Sequence, residues 1–181
     1  MQDEKMKIEN RKPEHMTSLS GSRMVPKTHG RIVFRGLIDT LEAEVIEAQA
    51  LAADLGEVEY CAYLGEVLEC LRAIMAAEVK ETPLQPPFLF GIAADEIHSL
   101  SHNAEGSSDM PPLPSYTQGP LAARLNTLRA KVREAELAAV RVFGPEGTGS
   151  TERGDIILAL NRLSSALWWM YCVLNSRGRK I

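Results

Sequence analysis

The sequence contains little cysteine, with three residues in a chain of 181. An odd number of widely spaced cysteines does not suit a disulfide framework, and no two of them stand at the Cys-x-x-Cys spacing of a zinc site. We therefore predict that Cys61, Cys70 and Cys172 are free thiols in a reducing compartment.

Long apolar runs and a strong charge of one sign are also missing. No window approaches 18 consecutive apolar residues, which predicts no transmembrane helix. The N-terminus opens with charges of both signs and no apolar run, so it is not a secretory signal. The net charge of −4 and the isoelectric point of about 5.6 argue against a nucleic-acid partner, because polyanion binders are usually basic. We expect a cytosolic protein with no membrane and no nucleic-acid partner.

Proline is absent from four long stretches, which are 31–82, 88–110, 121–144 and 146–181. Because proline breaks helix interiors, these are the stretches where helices can run. No stretch alternates at period two for long enough to predict a sheet. Residues 1–20 are charged and unpatterned, and they predict a disordered N-terminal arm ahead of one helical domain over 21–181.

Within these stretches, apolar residues recur at alternating steps of three and four, the period of an amphipathic helix. The four stripes are Ile38-Leu41-Val45-Ala48-Ala52-Leu55, Cys61-Leu64-Leu68-Leu71-Met75, Leu121-Leu125-Leu128-Val132-Ala135-Ala139-Val142 and Ile156-Leu160-Leu163-Leu167-Met170-Leu174. The pattern predicts an all-α fold, an up-and-down helical bundle of four long helices plus one short helix near 93–102. Residues 103–118 are predicted to form a loop.

Polar residues stand beside two of these stripes. On the third helix they are Asn126, Arg129, Arg133 and Glu136, and on the last helix Asn161 and Arg162 interrupt the apolar run. Asp39 directly follows Ile38 on the first helix. These residues are either rim side chains in weak surface ion pairs or an anion site between helices, where arginine would bind phosphate in a bidentate way. Spacing alone does not choose between the two.

Several segments resemble a known family at this point. Residues 125–136 (LNTLRAKVREAE) and 155–165 (DIILALNRLSS) resemble ATP:cobalamin adenosyltransferases. Residues 24–29 (MVPKTH), 34–36 (FRG) and 95–102 (DEIHSLSH) are similar to the ethanolamine-utilisation branch of that family. The matching segments extend from about residue 24 to 175.

The resemblance implies an enzyme that transfers the 5′-deoxyadenosyl group of ATP to reduced cobalamin and so forms adenosylcobalamin. It implies ATP with Mg²⁺, cobalamin as substrate, a reductase as electron donor, and a homotrimer or other homo-oligomer. It also implies a cytoplasmic protein, with association with a bacterial microcompartment left open. The alternatives are a non-catalytic nucleotide- or corrinoid-binding bundle that acts as a carrier or sensor, and a helical scaffold that binds neither ligand.

The resemblance also implies roles for individual residues. The catalytic residues are Arg129, its partner aspartate Asp39, and Arg133. The ATP-binding residues are Lys27, Thr28, Arg133, Glu136, Asn161 and Arg162. The assignment of Lys27 and Thr28 rests on position alone, because the glycine-rich phosphate segment of the better-known branch is missing.

The corrinoid is expected to contact Phe88, Phe90 and His98. An apolar wedge at Phe88 and Phe90 would displace the lower axial ligand of cobalamin, and core packing is the alternative. His98 and His102 stand four apart, a spacing that suits either a metal or the corrinoid pocket. The branch often has an N-terminal His/Cys metal site, and this chain begins too late to contain one. We expect no metal held by protein ligands alone.

Overall fold

Helix makes up most of the computed structural model, which describes residues 12–106, 113–144 and 152–176. Five α-helices lie in the described ranges: α1 (Gly30–Asp54), α2 (Val58–Lys80), α3 (Ala94–Gly106), α4 (Pro120–Phe143) and α5 (Gly154–Ser176). The prediction of a mainly helical protein is therefore confirmed. Helix α3 continues to Gly106, beyond the predicted end at residue 102, so the loop prediction for 103–118 begins too early. A 3-10 turn covers Tyr116–Gln118, and residues 107–112 lie outside the described part.

The helix boundaries follow from local chemistry. The Nδ1 atom of His29 accepts a hydrogen bond from the Arg31 backbone N–H at 3.3 Å and caps the start of α1. Gly56, at φ +73°, ends the same helix, and Pro120 occupies the first turn of α4, where its missing N–H costs nothing.

The predicted apolar stripes form the core. Their central members are buried on α1, α2, α4 and α5, while Leu55, at the end of α1, is exposed because the helix stops there. Helix α1 packs against α2 and α4, and α5 packs against α4 and α3. Phe34 meets Phe143 edge-to-face at 5.6 Å, while Glu47 pairs with Arg124 at 3.2 Å. The start of α1 therefore lies beside the end of α4, and the two helices are antiparallel.

Two short hairpins accompany the helices, although no stretch of the sequence alternates for long enough to predict a sheet. Strand β1 (Met16–Ser20) pairs antiparallel with β2 (Arg23–Pro26), and β3 (Phe88–Leu89) pairs with β4 (Ile92–Ala93). Strands of two to five residues are too short to show a period of two in the sequence. The first hairpin corrects one part of the predicted disordered arm over 1–20. Its strand Met16–Ser20 is ordered by pairing with β2. Residues 1–11 lie outside the described part.

By length and composition alone, helix α5 contains an 18-residue window that is apolar enough to cross a membrane. Half of that window is buried inside the protein, as expected for a core helix of a bundle. The helix does not meet the criterion of an unbroken apolar run used in the sequence analysis, because Asn161 and Arg162 interrupt the run.

Partly buried polar contacts close the end of the molecule where α5 begins. Arg153 pairs with Asp155 at 3.0 Å and donates to the backbone carbonyls of Ala77 and Thr82 at 3.2 and 3.0 Å. The Asp155 carboxylate also accepts the backbone N–H of Leu84 at 2.8 Å. These contacts attach the segment after α2 to the first turn of α5.

Acid should weaken this junction. Burial alone would raise the pKa of Asp155, but hydrogen bonds from Arg153, Leu84 and Ile156 hold it below its ordinary value. The contribution to stability is therefore complete above the ordinary carboxyl pKa of about 3.9 and is lost as the pH falls through the lower folded value. We expect Asp155→Asn to lower the free energy of unfolding at pH 7 by about 1–2 kcal/mol. That difference should narrow in urea melts between pH 4 and pH 2, whereas the exposed control Asp54→Asn should show no such narrowing.

Candidate active site

A chain of polar contacts crosses α4, α5 and α3. The Asn161 side-chain Nδ2 donates to Glu136 Oε1 at 2.9 Å, and its Oδ1 accepts from Arg162 Nη1 at 2.7 Å. Arg162 Nη2 lies 3.6 Å from Asp95 Oδ1. Three predicted ATP-binding residues, Glu136, Asn161 and Arg162, are therefore brought together, with Asn161 satisfied on both sides of its amide.

Arg162 is the cation among these four residues, and 14% of its side chain is accessible to solvent. Its Nε atom is buried and has no hydrogen-bond partner among the described residues. A half-buried guanidinium with one unused donor can add a contact to an acceptor in the adjoining cleft.

Arg129 has different neighbours from those predicted. Its Nε and Nη2 donate to Asn126 Oδ1 at 3.3 and 3.1 Å, and its guanidinium carbon lies 5.1 Å from the ring centre of Trp168. Within this chain it does not pair with Asp39, which is exposed on the outer side of α1. The predicted Arg129–Asp39 pair is therefore not formed within the described part of one chain, because Arg129 turns toward α5 and Asp39 faces away from the core.

Trp168 connects Arg129 to the segment before α4. Its ring stacks on Tyr171 at 5.1 Å, and the Tyr171 hydroxyl donates to Gln118 Oε1 at 2.8 Å. Burial comes first among the influences that raise the pKa of Tyr171, so this hydroxyl stays protonated as a donor at neutral pH. The contact of Trp168 with Arg129 was not predicted from the sequence.

Arg133 and the Lys27–Thr28 turn are exposed. Arg133 lies one turn after Arg129 on α4 and makes no ion pair with a described residue. Lys27 and Thr28 form the turn between β2 and α1, where the Lys27 N–H donates to the His15 carbonyl at 2.8 Å. Asn161 lies seven residues into α5, about 10 Å from the end of the bundle where both α5 and α1 begin. The structure places Lys27 and Thr28 at the same end of the bundle as Asn161 without bringing them into contact.

The sequence analysis missed a buried charged cluster at that end. Glu78 of α2 is fully buried and is paired with Arg31 and Arg35 of α1. One signal was available, because Glu78 continues the apolar stripe of α2 by a step of three after Met75. A carboxylate at a core position requires a partner, and two arginines four apart on α1 provide it.

The two predicted corrinoid-binding phenylalanines point in different directions. Phe88 is 68% exposed and lines a cavity of about 650 Å³ between α2 and residues 84–89. Phe90 packs inward, 4.6 Å from the ring centre of Tyr63 and 5.6 Å from that of Trp169. Core packing, the alternative left open for the pair, therefore describes Phe90 but not Phe88.

Two further residues bear on this cavity and on the metal prediction. Cys70 lines the cavity, and burial raises its pKa to about 12, so the thiol is neutral. His98 is half-buried on α3, and the side chain of His102 lies outside the described part. Among the described residues, no three His, Cys, Asp or Glu side chains are grouped so that they could hold a metal. The three cysteines are free, as predicted.

The sequence pattern of cobalamin adenosyltransferases matches residues 8–174, nearly the whole chain. The chain belongs to this family. It is 37% identical over 163 residues to the corrinoid adenosyltransferase EutT of Salmonella typhimurium strain LT2. It is 36% identical over the same length to the protein of that name from Escherichia coli K12.

These relatives confirm the resemblance to the ethanolamine-utilisation branch of the cobalamin adenosyltransferases. In each case the similar region covers 88% of this chain and 58% of the relative. The chain therefore spans somewhat more than half of the length of the curated relatives it matches.

Proposed function

We propose that this chain transfers the 5′-deoxyadenosyl group of ATP to reduced cobalamin and forms adenosylcobalamin. The observation that supports it most is the contact set in which Asn161 joins Glu136 to Arg162, next to the exposed Arg133. These residues lie in the two segments that most resemble the family, and they come from different helices. The cations Arg133 and Arg162 suit the anionic phosphates of a nucleotide. The Asn161 amide and the Glu136 carboxylate suit a polar edge of its base or sugar.

The chemistry is a displacement at carbon. Co(I) attacks the ribose 5′ carbon with its electron pair and forms the Co–C bond, while the bond from C5′ to the triphosphate oxygen breaks and triphosphate leaves. The cobalt pair stays in the Co–C bond and triphosphate takes the pair of the broken C5′–O bond, so cobalt becomes formally Co(III). The electrons that make Co(I) come from an external reductase. The work left to the protein is to hold both substrates in line, exclude water and stabilise the leaving triphosphate.

Each predicted residue has a place in this proposal. Arg133 would bind the triphosphate as it leaves, together with Lys27 and Thr28 across the end of the bundle. Mg²⁺ would enter with ATP as part of the substrate. Glu136, Asn161 and Arg162 would hold the nucleoside through the hydrogen bonds that the described contacts leave available.

Arg129 is held by Asn126 on one side and by the face of Trp168, so its guanidinium is oriented before the substrate binds. The pairing of Asp39 with this arginine remains a prediction. Because Asp39 is exposed, it could pair with Arg129 of another copy of the chain. The exposed Phe88, with Phe90 and His98 nearby in sequence, remains the predicted corrinoid contact.

The assembly and setting form a further part of the proposal. The antiparallel packing of α1 and α4 supports an up-and-down bundle. Large apolar side chains on α1 and α4 are exposed, with Val33 at 49%, Leu137 at 60% and Val140 at 43%, which supports a homotrimer or other homo-oligomer. We place the protein in the cytoplasm and expect it to associate with a bacterial microcompartment. We expect neither nucleic acid nor a membrane as a partner.

An adenosylation assay tests the proposal. The purified chain, ATP with Mg²⁺, cob(II)alamin and a strong reductant should give the absorption spectrum of adenosylcobalamin, which bleaches in light as the Co–C bond breaks. No Co–C bond formation by the wild type would contradict the proposed activity. A carrier or sensor would then still show a thermal shift with ATP or with cobalamin, and a scaffold would show a shift with neither.

A further inference from the structure

Glu78 is the most deeply buried charged side chain among the described residues. Its relative exposure is 0%, although it lies in the last turn of α2, close to the end of the bundle. Its Oε1 accepts from Arg31 Nε and its Oε2 accepts from Arg35 Nε, so each carboxylate oxygen is satisfied by a different turn of α1. Arg31 also donates through Nη2 to the Glu78 backbone carbonyl at 2.9 Å.

The two arginines extend this contact in both directions. Arg35 Nη2 donates to the backbone carbonyl of Leu19 at 2.8 Å, and Leu19 lies in β1. Arg31 Nη1 donates to Glu81 Oε1 at 2.6 Å. Hydrogen bonding from Arg31 comes first among the influences that lower the pKa of Glu81, so the carboxylate stays ionised at neutral pH. One buried carboxylate therefore ties α2 to α1 and, through Arg35, to the first hairpin.

That hairpin leads directly into the predicted phosphate-binding turn. Strand β1 pairs with β2, β2 ends at Pro26, and Lys27 and Thr28 follow before α1 begins. The His29 N–H donates to the Pro26 carbonyl at 2.9 Å and closes the turn. Arg31 and Arg35 lie in the first two turns of α1, and Arg35 also contacts the hairpin at Leu19, so the contacts of Glu78 reach both ends of this turn.

Stability alone does not explain such a cluster. Replacing a buried ion pair by apolar side chains of similar volume often leaves stability unchanged or improves it, because desolvation offsets the attraction. Glu78 does, however, accept one Nε–H bond from each arginine, and each planar guanidinium also donates to a backbone carbonyl. Directional bonds of this kind define one relative position of the two helices. Such directional bonds can hold the neighbouring turn at Lys27 and Thr28 in one geometry.

We infer that Glu78 is a positioning residue for the triphosphate of ATP, acting through Arg31 and Arg35 on the turn at Lys27 and Thr28. The inference rests on the proposed function. It assigns Glu78 no contact with ATP. A displacement of about 1 Å in a group that orients a substrate can reduce its effect by up to a hundredfold.

A double-mutant cycle on nucleotide binding tests this inference. Binding of ATP and of adenosine, which lacks the phosphates, is measured by calorimetry for the wild type, Glu78→Gln, Lys27→Ala and the double variant. We expect Glu78→Gln to weaken ATP binding about tenfold and to leave adenosine binding within about twofold. Lys27→Ala should weaken ATP binding about tenfold in the wild type and less than about threefold in the Glu78→Gln background, because the turn is already misplaced.

Two further variants keep the test decisive. Glu47→Gln changes a different arginine-paired glutamate, on α1 and far from the turn, and the ATP affinity of this variant should match the wild type. If Glu78→Gln fails to fold, Arg35→Lys keeps a positive charge opposite Glu78 but loses the fork that also reaches Leu19, and it should reproduce the selective loss of ATP affinity.

The outcomes separate this inference from the proposed function. A wild type that binds ATP and forms adenosylcobalamin supports the function whatever Glu78 does. The inference is overturned if folded Glu78→Gln, or Arg35→Lys in its place, binds ATP as the wild type does. It is also overturned if ATP and adenosine affinities fall equally, or if the effects of Glu78→Gln and Lys27→Ala simply add.

Discussion

Arg133→Ala should reduce kcat/KM for adenosyl transfer by about a hundredfold or more while the bundle remains folded. Interactions with charge that develops on a leaving group are worth about 10²–10³ in rate when one donor is removed. Arg133 is exposed and makes no ion pair with a described residue, so its removal should change the free energy of unfolding by no more than about 0.5 kcal/mol. The measurements are steady-state rates of adenosylcobalamin formation and thermal melts of the same preparations.

Two comparisons show whether the effect belongs to Arg133 itself. Arg133→Lys keeps the charge but loses the planar fork, and it should recover only part of the rate. Arg124→Ala removes another arginine of α4, which forms an exposed ion pair with Glu47, and it should keep nearly full activity. If Arg133→Ala stayed within about threefold of the wild type in kcat/KM, the triphosphate would not depend on this arginine.

The helices were predictable because they rest on chemistry that repeats along the chain. Gaps between prolines and the steps of three and four, as in Leu160-Leu163-Leu167, are local patterns that survive in any packing. The adjacency of Asn161 and Glu136 was also within reach, because both residues border a buried stripe on helices that face each other. Patterns of this kind identify which face of a helix meets the core.

The side-chain partners were not predictable from those patterns. Arg129 could turn toward Asp39 or toward Trp168, and only the packed positions of α1 and α5 decide between them. Phe88 and Phe90 differ in direction because the left-handed backbone at Phe90, with φ +59°, turns the chain between them. A left-handed residue other than glycine has no clear sequence signal, so the exposure of Phe88 and the partial burial of Phe90 could be read only from the fold.

Asn161→Ala should lower both stability and activity, since this amide joins the two helices that form the candidate site. Its removal takes a donor from Glu136 and an acceptor from Arg162, whose Nε is already buried without a partner. Leaving such groups unsatisfied costs about 1–3 kcal/mol. We expect the free energy of unfolding in urea to fall by about that amount, and kcat/KM to fall about a hundredfold as Glu136 and Arg162 lose their alignment. Asn175→Ala removes an asparagine of the same helix whose side chain, within the described ranges, bonds only the Tyr171 carbonyl, and this variant should keep activity.

Moving the carboxylate from residue 136 to residue 161 tests whether this contact serves packing alone or also ATP binding. Asn161→Asp sets two carboxylates against each other at the 2.9 Å contact with Glu136 and should destabilise the protein by repulsion. Adding Glu136→Gln supplies an amide donor to that new carboxylate, so the double variant should recover most of the lost stability. Its activity should stay low if the negative charge must lie on α4 to hold the nucleotide. Recovery of both stability and rate would mean that the contact serves only to pack α4 against α5, and Glu136 would then have no role of its own in binding ATP.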